Sequence, residues 1–334
     1  MKKVFSTFLA LIMLLSLAAC GSNQDDKQEG SPVELKLSQS TPADNPVSEA
    51  LTYLSETVNE QSGGNVQIKV YFDAALGSEP ESIEGLKLGT VDMARVATAN
   101  MASFVPELDL FNLPFLFRDS EHFWNVLNGE VGNYIKEKFE ENGFKLLAYY
   151  EDGARNVYDA KKFIETADDF KGVKIRTMTS TLITEAFEAM GAAPTPMNFG
   201  ELYTSLQQGV VEAGENNFST IYTSKQYEVA PYITETEHYR IPSVLIMSLD
   251  KWNSLSAEQQ DYLQKAADAS REWEIPHFIE ADQNYRQMLV DAGVKIQDFS
   301  DSEKEILLDK LADVYAKCNE AVGNDLVNKI IATK

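Results

Sequence analysis

The chain has 334 residues, enough for two domains of ordinary size, and 44% of them are hydrophobic, as in a globular protein. Its 52 acidic and 29 basic residues give a net charge of −23, which argues against nucleic acid and anionic lipid head groups as partners. Cysteine occurs only at positions 20 and 318 and the three histidines are scattered, so the sequence predicts neither a disulfide framework nor a metal site.

The N-terminus has the pattern of a bacterial secretory signal peptide. Lys2 and Lys3 precede an apolar run over residues 4–19, which is too short to predict a permanent membrane span. The letters LAAC at 17–20 resemble a lipoprotein cleavage box and predict that Cys20 is acylated; a plain signal with an incidental cysteine is the alternative. We expect residues 1–19 to be a signal peptide and 20–31 a lipidated, flexible tether. The rest is expected outside the cytoplasm, in the periplasm or at the cell surface.

Strand and helix patterns alternate through the body of the chain. The predicted strands are 33–37, 66–72, 91–96, 144–150, 173–176, one beginning at 210–211, and 243–249. One predicted helix begins at Pro46 and ends before Gly63. The others span 80–88, 181–190 and a stretch around 203–206. This alternation predicts an α/β fold with parallel strands and helical crossovers.

A long helix is predicted after the last of these strands. Ser256 and Gln259 form a capping box, and the helical pattern continues to about Ala292. Pro276 is expected to bend or split this helix because proline removes a backbone donor. A helix of this length exceeds one small domain, so we expect it to lie across both. Ser300 is expected to cap the last helical stretch.

Motifs of enzymes and of nucleotide cofactors are absent from the sequence. There is no GxGxxG after a strand, no GxxxxGK[ST] and no GxSxG. Cys318 lies in a helical pattern, which favours structural burial, and pairs of carboxylates are uninformative in so acidic a chain. The sequence therefore predicts a non-catalytic protein without a cofactor.

Three of the seven arginines are predicted to lie on or just after strands. Arg95 and Arg176 fall within strands, and Arg155 follows one. Ligands of open α/β sheets bind beyond the carboxyl ends of strands, and a guanidinium holds a carboxylate through two parallel hydrogen bonds. The alternative is that each arginine pairs with an acidic side chain of the protein, which we favour for Arg240, Arg271 and Arg286.

Six motifs, in order, give the chain a resemblance to a known family. They are LGSE (76–79), GTVDM (89–93), NLPFLF (112–117), DFKGVKIR (169–176), GAAPTPM (191–197) and GVVEAGENN (209–217). Their order over residues 33–290 resembles the extracytoplasmic substrate-binding subunits of tripartite ATP-independent periplasmic (TRAP) transporters.

The resemblance implies a two-domain periplasmic-binding-protein clamshell with a long helix spanning both domains. It implies one domain of residues 32–152 plus 242–281 and another of residues 153–241 plus 282–334. The implied function is capture of an organic acid and delivery to the TRAP membrane subunits. We expect a monomer that contacts the membrane through its lipid anchor.

The family motifs also imply site residues. The arginine that grips the ligand carboxylate falls on Arg176, a second arginine falls on Arg155, and the ligand-contacting asparagine falls on Asn216. The chain departs from the family pattern beside this site: Asn217 replaces a proline, Glu212 replaces an aspartate, and AG at 213–214 replaces Gly-Gln.

A narrower resemblance is to the branch that binds sugar acids such as glucuronate and galacturonate. It implies Glu79 and Arg95 in the pocket, with Asn45 at a position where many members have histidine and Asn217 beside Asn216. Aldonates and C4-dicarboxylates remain alternative ligands. Helix capping is the structural alternative for Glu79 and Asn45. Core packing is favoured over stacking on a sugar for the aromatic residues Tyr149, Tyr150, Phe199 and Tyr222.

Two other classes of function stay open from the sequence. An extracellular lyase acting on sugar acids would need a base in the cleft. A sensory domain would be expected to have a membrane span after residue 31, and no apolar stretch of that kind follows in the sequence.

Overall fold

The structure, a computed structural model, describes residues 31–323 and 325–334. The predicted signal peptide and acylated Cys20 lie outside these residues. Among the described helices, none is both long enough and apolar enough for a membrane crossing.

Eleven strands form two sheets in the described part of the chain. In chain order they are β1 (Val33–Ser38), β2 (Val66–Tyr71), β3 (Met93–Ala97), β4 (Phe144–Tyr150), β5 (Arg155–Asp159), β6 (Lys174–Thr177), β7 (Ala193–Pro196), β8 (Ala213–Asn216), β9 (Tyr232–Tyr239), β10 (Ser243–Ser248) and β11 (Lys295–Asp298). The first sheet has the order β2-β1-β3-β10-β4, and the second has the order β11-β9-β5-β8-β6-β7. We call the first sheet with the helices packed on it the first lobe, and the second sheet with its helices the second lobe.

Thirteen α-helices accompany these strands in the same residues. They are α1 (Pro46–Gln61), α2 (Glu79–Leu88), α3 (Thr98–Met101), α4 (Ser120–Leu127), α5 (Glu130–Glu141), α6 (Thr181–Met190), α7 (Leu202–Gln207), α8 (Phe218–Thr223), α9 (Leu249–Ser254), α10 (Ala257–Asp291), α11 (Asp301–Lys310), α12 (Ala312–Val322) and α13 (Leu326–Ala332). The predicted α/β class is confirmed.

Both lobes contain the same β-α-β-α-β arrangement. In the first lobe β1 lies between β2 and β3 and is parallel to both; in the second lobe β6 lies in the same way between β7 and β8. Helices α1 and α2 connect the first set, and α6 and α7 connect the second. The carboxyl ends of these parallel strands carry the loops from which an α/β protein builds a ligand site.

Local sequence signals explain where these helices begin and end. Helix α1 buries Val47, Leu51, Leu54 and Val58 on one face, as its spacing predicts. Helix α6 ends at Gly191, whose left-handed φ of 103° suits glycine. The predicted strand at 210–211 is wrong by a few residues: these residues complete the turn after α7, and β8 begins at Ala213.

The long helix α10 is confirmed, with 35 residues and the capping box of Ser256 and Gln259. Pro276 lies inside it without splitting it. Helix α10 packs on α1 and β4 of the first lobe and on α8 of the second lobe. These contacts on both sides of the proline hold the helix together where one backbone hydrogen bond is lost.

Within residues 31–323 and 325–334, three connections join the lobes. Residues 151–154 lead from β4 to β5, residues 240–242 lead from β9 to β10, and α10 runs along both. The C-terminal helices also contact both lobes, since α12 packs on α6 and on residues 106–112, and α13 packs on α5.

Candidate functional site

A polar cavity lies between the lobes, where the loops after the parallel strands meet. Its enclosed volume is about 40 Å³, and it adjoins a second pocket of about 340 Å³ whose wall shares Ser40, Glu79, Asn100, Arg176 and Phe199. All seven side chains named from the sequence line the polar cavity: Asn45, Glu79, Arg95, Arg155, Arg176, Asn216 and Asn217.

Sequence reasoning missed the other residues of the wall. They are Ser40, Thr41, Ala97, Asn100, Asp152, Met178 and Thr220, together with Phe199, for which the sequence favoured core packing. Most of them follow the carboxyl ends of strands, as Ser40 follows β1 and Met178 follows β6, and that position was the signal available in the sequence. Of the four aromatic candidates only Phe199 lines this cavity, whereas Tyr149 and Tyr150 are buried in the core and Tyr222 stacks on Tyr227.

Arg95 is paired with carboxylates of the protein. Its Nη2 donates to the carboxylate of Asp152, and its Nη1 lies 3.8 Å from Oε1 of Glu79. Burial raises the pKa of Asp152, and the positive charge of Arg95 opposes that rise. This arginine is therefore largely neutralised before any ligand arrives.

Arg155 is also paired, with Glu215 on the neighbouring strand β8. Its Nε and Nη2 donate to the two carboxylate oxygens, the second over 2.9 Å, and both side chains are buried. His238 lies behind the pair, with its Nε2 3.8 Å from Glu215 Oε2. Burial lowers the pKa of His238 to about 4, so the imidazole is neutral and adds no charge at neutral pH.

Arg176 differs from both because no carboxylate of the described residues lies within ion-pair distance of it. Its Nε and Nη2 donate to the backbone oxygen of Met197 over 3.1 and 3.0 Å, and its guanidinium lies 5.9 Å from the centre of the Phe199 ring. The residue is only 2% exposed, and burial lowers its pKa. A buried guanidinium held by a neutral acceptor is suited to bind an anion.

Glu79 is held by three donors and does not cap α2, contrary to the structural alternative. The N-cap is Ser78, in a capping box with Glu81. The carboxylate of Glu79 accepts from Ser40 Oγ at 2.8 Å, from the backbone N–H of Ala97 at 2.9 Å and from Asn100 Nδ2 at 2.8 Å. These bonds fix a carboxylate in the wall of the cavity.

Asn45 caps a helix and also bridges the lobes. Its Oδ1 accepts from the backbone N–H of Val47 at the start of α1, so the capping alternative is confirmed. Its Nδ2 donates to Thr220 Oγ1 and Thr223 Oγ1 of α8 in the second lobe, over 3.2 and 3.5 Å.

Asn216, which ends β8, and Asn217, which follows it, differ in how many hydrogen bonds their side chains form. Asn216 Oδ1 accepts from the next backbone N–H, and its Nδ2 has no hydrogen-bond partner in the part of the chain that is described. Asn217 caps α8 through Oδ1 and donates from Nδ2 to the backbone oxygen of Asp152 over 2.7 Å. Asn216 thus retains a free donor at the cavity, whereas the amide of Asn217 is occupied.

Among the departures from the family pattern at 212–214, the structure explains the glycine at position 214. A Cβ atom on Gly214 would come within 2.6 Å of Cζ of the buried Tyr158, whose hydroxyl donates to Gln226 Oε1. The glycine makes room for this tyrosine, so a glutamine at 214 is incompatible with it. Glu212 accepts from the backbone N–H of Lys174 and pairs with Lys161.

Buried carboxylates gather where β4 leads into β5. The backbone N–H of Glu151 donates to Glu274 Oε2 on α10 over 3.2 Å, and Glu151 Oε1 accepts from Arg240 over 3.1 Å. Burial raises the pKa of Glu151, and it raises the pKa of Glu274 well above the usual value. Next to them Gly153 has φ +63°, and a Cβ there would lie 2.8 Å from the Phe278 ring. The lobe connection therefore packs tightly on α10.

Replacing Asp282 of α10 by asparagine is expected to stabilise the fold near pH 7 and to leave it unchanged near pH 4. Burial raises the pKa of Asp282 from 3.8 to about 6, so between these values the folded chain holds a proton that the unfolded chain has lost. The stability from this proton is present in acid and is lost as the pH rises through about 6. Near pH 7 the carboxylate costs up to about 3 kcal/mol, less what solvent screens at its partly exposed side chain.

The measurement is the free energy of chemical unfolding of both chains at the two pH values. Asparagine can still accept the hydrogen bond that Ser219 N–H donates to Oδ1 of Asp282 over 2.8 Å, so the comparison isolates the charge. A gain of equal size at both pH values would contradict this account of Asp282.

In the described residues, no group of three or more His, Cys, Asp or Glu side chains is arranged to hold a metal ion. Cys318 is buried, as the sequence predicts, and burial raises the pKa of its thiol to about 12.

The chain matches a known protein family over most of its length. Residues 37–321 match the family described as bacterial extracellular solute-binding protein, family 7 (DctP). A solute-binding protein of Chromohalobacter salexigens is 33% identical over 91% of this chain and 88% of its own length.

Two solved structures are similar along nearly their whole length. The sugar acid binding protein DctPAm of Advenella mimigardefordensis, in complex with galactonate, has a TM-score of 0.88 at 31% identity and covers 91% of this chain and 98% of its own. A TRAP periplasmic solute-binding protein of Bradyrhizobium sp., in complex with galacturonate, has a TM-score of 0.85 at 37% identity and covers 89% of this chain and 99% of its own.

Proposed function

Because the chain belongs to bacterial extracellular solute-binding protein family 7, the solute-binding proteins of TRAP transporters, we propose that it captures a sugar acid with a single carboxylate. A uronate such as galacturonate or glucuronate is the ligand we favour. The bound acid is delivered to the membrane subunits of the transporter.

The observation that carries the proposal is the state of Arg176. Among the three arginines of the cavity it alone lacks a carboxylate partner within the described residues, and it is buried. We assign the ligand carboxylate to the Arg176 guanidinium, with the free Nδ2 of Asn216 as a second donor. An ion pair in a closed cleft is stronger than the same pair in water because the local dielectric constant is lower.

The remaining charges favour a sugar acid over a dicarboxylate. Arg95 and Arg155 are already paired, and the carboxylates of Glu79 and Asp152 belong to the same wall. A second ligand carboxylate would meet these acceptors and be repelled, whereas hydroxyl groups could donate to them. Of the two structures named above, one contains galacturonate and the other galactonate, so galactonate-like acids are the nearest alternative; a C4-dicarboxylate is a further alternative, since another similar structure contains succinate.

Closure around the ligand is the motion that we propose for the lobes. Residues 32–152 with 242–281 would move against residues 153–241 with 282–334. The hinge would lie at 151–154, at 240–242 and in α10, while the C-terminal helices, which contact both lobes, would act as a strap. Open and closed states must lie within a few kcal/mol of each other for the ligand to be released.

The remaining parts of the proposal concern the mature chain. The family consists of extracytoplasmic transport proteins. We propose that this member is a non-catalytic monomer, that residues 1–19 are removed as a signal peptide, and that acylated Cys20 anchors it to the cell membrane. The LAAC box and the polar tether support this part.

Thermal unfolding and titration calorimetry with galacturonate, glucuronate, galactonate and succinate test the proposal. A ligand that binds only the folded chain raises its melting temperature, so we expect a rise with the sugar acids and a much smaller one with succinate. Analysis of the recovered acid is expected to show it unchanged; its conversion to a product would favour a lyase. Tighter binding of succinate than of every sugar acid would overturn the assignment of the ligand class.

A further inference from the structure

The side-chain amide of Asn100, in α3 of the first lobe, forms hydrogen bonds through both its nitrogen and its oxygen. Its Nδ2 donates to Glu79 Oε2 over 2.8 Å. Its Oδ1 accepts from the backbone N–H of Thr179 over 3.2 Å and from Thr179 Oγ1 over 2.8 Å. Thr179 follows β6, three residues after Arg176, so the two partners of this amide belong to different lobes.

The chemistry of the three groups permits only one orientation of the amide. The Glu79 carboxylate, when ionised, only accepts hydrogen bonds, and the backbone N–H of Thr179 only donates. The amide must therefore present its nitrogen to Glu79 and its oxygen to Thr179. When the second lobe withdraws, Asn100 loses the partner that defines this orientation.

The carboxylate of Glu79 depends on the same amide. Oε2 accepts from Ala97 N–H and Asn100 Nδ2. Within the described residues Oε1 accepts a hydrogen bond from Ser40 Oγ alone, and Arg95 Nη1 lies 3.8 Å from it, beyond hydrogen-bond distance. Each carboxylate oxygen can take about two hydrogen bonds, so Oε1 retains one acceptor site at the cavity. Asn100 thus helps to hold Glu79 with its vacant acceptor available to a ligand.

We propose that Asn100 is a positioning residue that couples closure of the lobes to the orientation of the Glu79 carboxylate, with Thr179 as its contact in the second lobe. The inference rests on the proposed function, because the vacant acceptor serves a ligand hydroxyl. The contact between Asn100 and Thr179 forms only in the closed state. Loss of this contact therefore increases the rate at which the lobes open and leaves the association rate of the ligand unchanged.

The test compares the binding kinetics of variants at Thr179 with galacturonate as the probe, followed by stopped-flow tryptophan fluorescence. Thr179→Val removes the hydroxyl donor and keeps the backbone N–H, and we expect a dissociation rate about 3- to 10-fold higher with an association rate within about 2-fold of wild type. Thr179→Ser retains a hydroxyl and is expected to restore the wild-type dissociation rate. Asn100→Ala removes the bond to Glu79 and both bonds from Thr179, and it is expected to increase the dissociation rate further.

Thr181→Val is the matched control. Thr181 is exposed, lies two residues from Thr179, and has no hydrogen bond from its side chain to any described residue. Its substitution is expected to leave both rates unchanged, and the unfolding midpoint of the ligand-free chain is expected to be the same for both valine variants.

Two results would overturn the inference in distinguishable ways. If wild type binds galacturonate and Thr179→Val dissociates at the wild-type rate, or changes only its association rate, the positioning role is wrong while the proposed function stands. If wild type binds none of the sugar acids, the proposed function fails and this inference fails with it.

Discussion

Replacing Arg176 by alanine is expected to weaken binding of the sugar acid by at least about 2 kcal/mol, or about 30-fold. The guanidinium is buried in the cavity wall and has no carboxylate of the described chain as a partner. Without it the ligand carboxylate would be buried and unpaired, and the cost of removing that charge from water would no longer be offset. Titration calorimetry of both chains with the same acid measures the difference.

Two further arginine variants make this result specific. Arg176→Lys keeps the charge but cannot form two parallel hydrogen bonds to a carboxylate, so we expect it to recover only part of the affinity. Arg286→Ala removes an arginine that pairs with Glu235, away from the cavity, and is expected to bind as wild type does. An unchanged affinity of Arg176→Ala would remove the basis of the proposed ligand assignment.

The candidate site could be predicted from the sequence as a set of positions. Strand patterns placed Arg95 and Arg176 on strands and Arg155 after one, and all three line the cavity. The sequence could not say which of them is free. That depends on Asp152 and Glu215 approaching Arg95 and Arg155 across 57 and 60 residues of chain.

The contacts that join the lobes could not be predicted from the sequence, for the same reason. Asn100 and Thr179 are 79 residues apart, and Asn45 lies 175 residues from Thr220. Neither pair carries a local pattern, because each contact exists only once two separately folded sheets face one another. Capping, by contrast, is local. The capping box at Ser256 and the N-cap at Asn45 could be predicted from the sequence, although near Glu79 the N-cap is the preceding serine.

The repeated β-α-β-α-β arrangement explains why one small cavity collects so many polar groups. The carboxyl ends of β1 and β3 in the first lobe and of β6 and β8 in the second lead into its wall. Each set of parallel strands brings its own loops to that edge, and closure brings the two edges together. Five of the six motifs lie in the loops, turns and strands of these two sets, whereas NLPFLF (112–117) follows α3 outside them.

Replacing Glu215 by alanine is expected to lower the free energy of unfolding by about 3–5 kcal/mol. Glu215 is fully buried and its carboxylate accepts from Arg155, which is itself 5% exposed. The negative charge of Glu215 raises the pKa of Arg155 against the effect of burial. Without this carboxylate a buried guanidinium would remain without its partner, beside a neutral His238 that cannot replace it.

Equilibrium unfolding in urea, without ligand, measures this loss, and two other variants separate its causes. Glu235→Ala removes the partner of Arg286 in a partly exposed pair and is expected to cost less than about 1 kcal/mol. Replacing Arg155 by methionine and Glu215 by leucine together removes both buried charges, and we expect this double variant to be more stable than Glu215→Ala alone. A double variant as unstable as the single one would mean that packing around Glu215, rather than the unpaired charge of Arg155, causes the loss. In that case Glu215 would not neutralise the charge of Arg155, and Arg155 could attract a second carboxylate of the ligand.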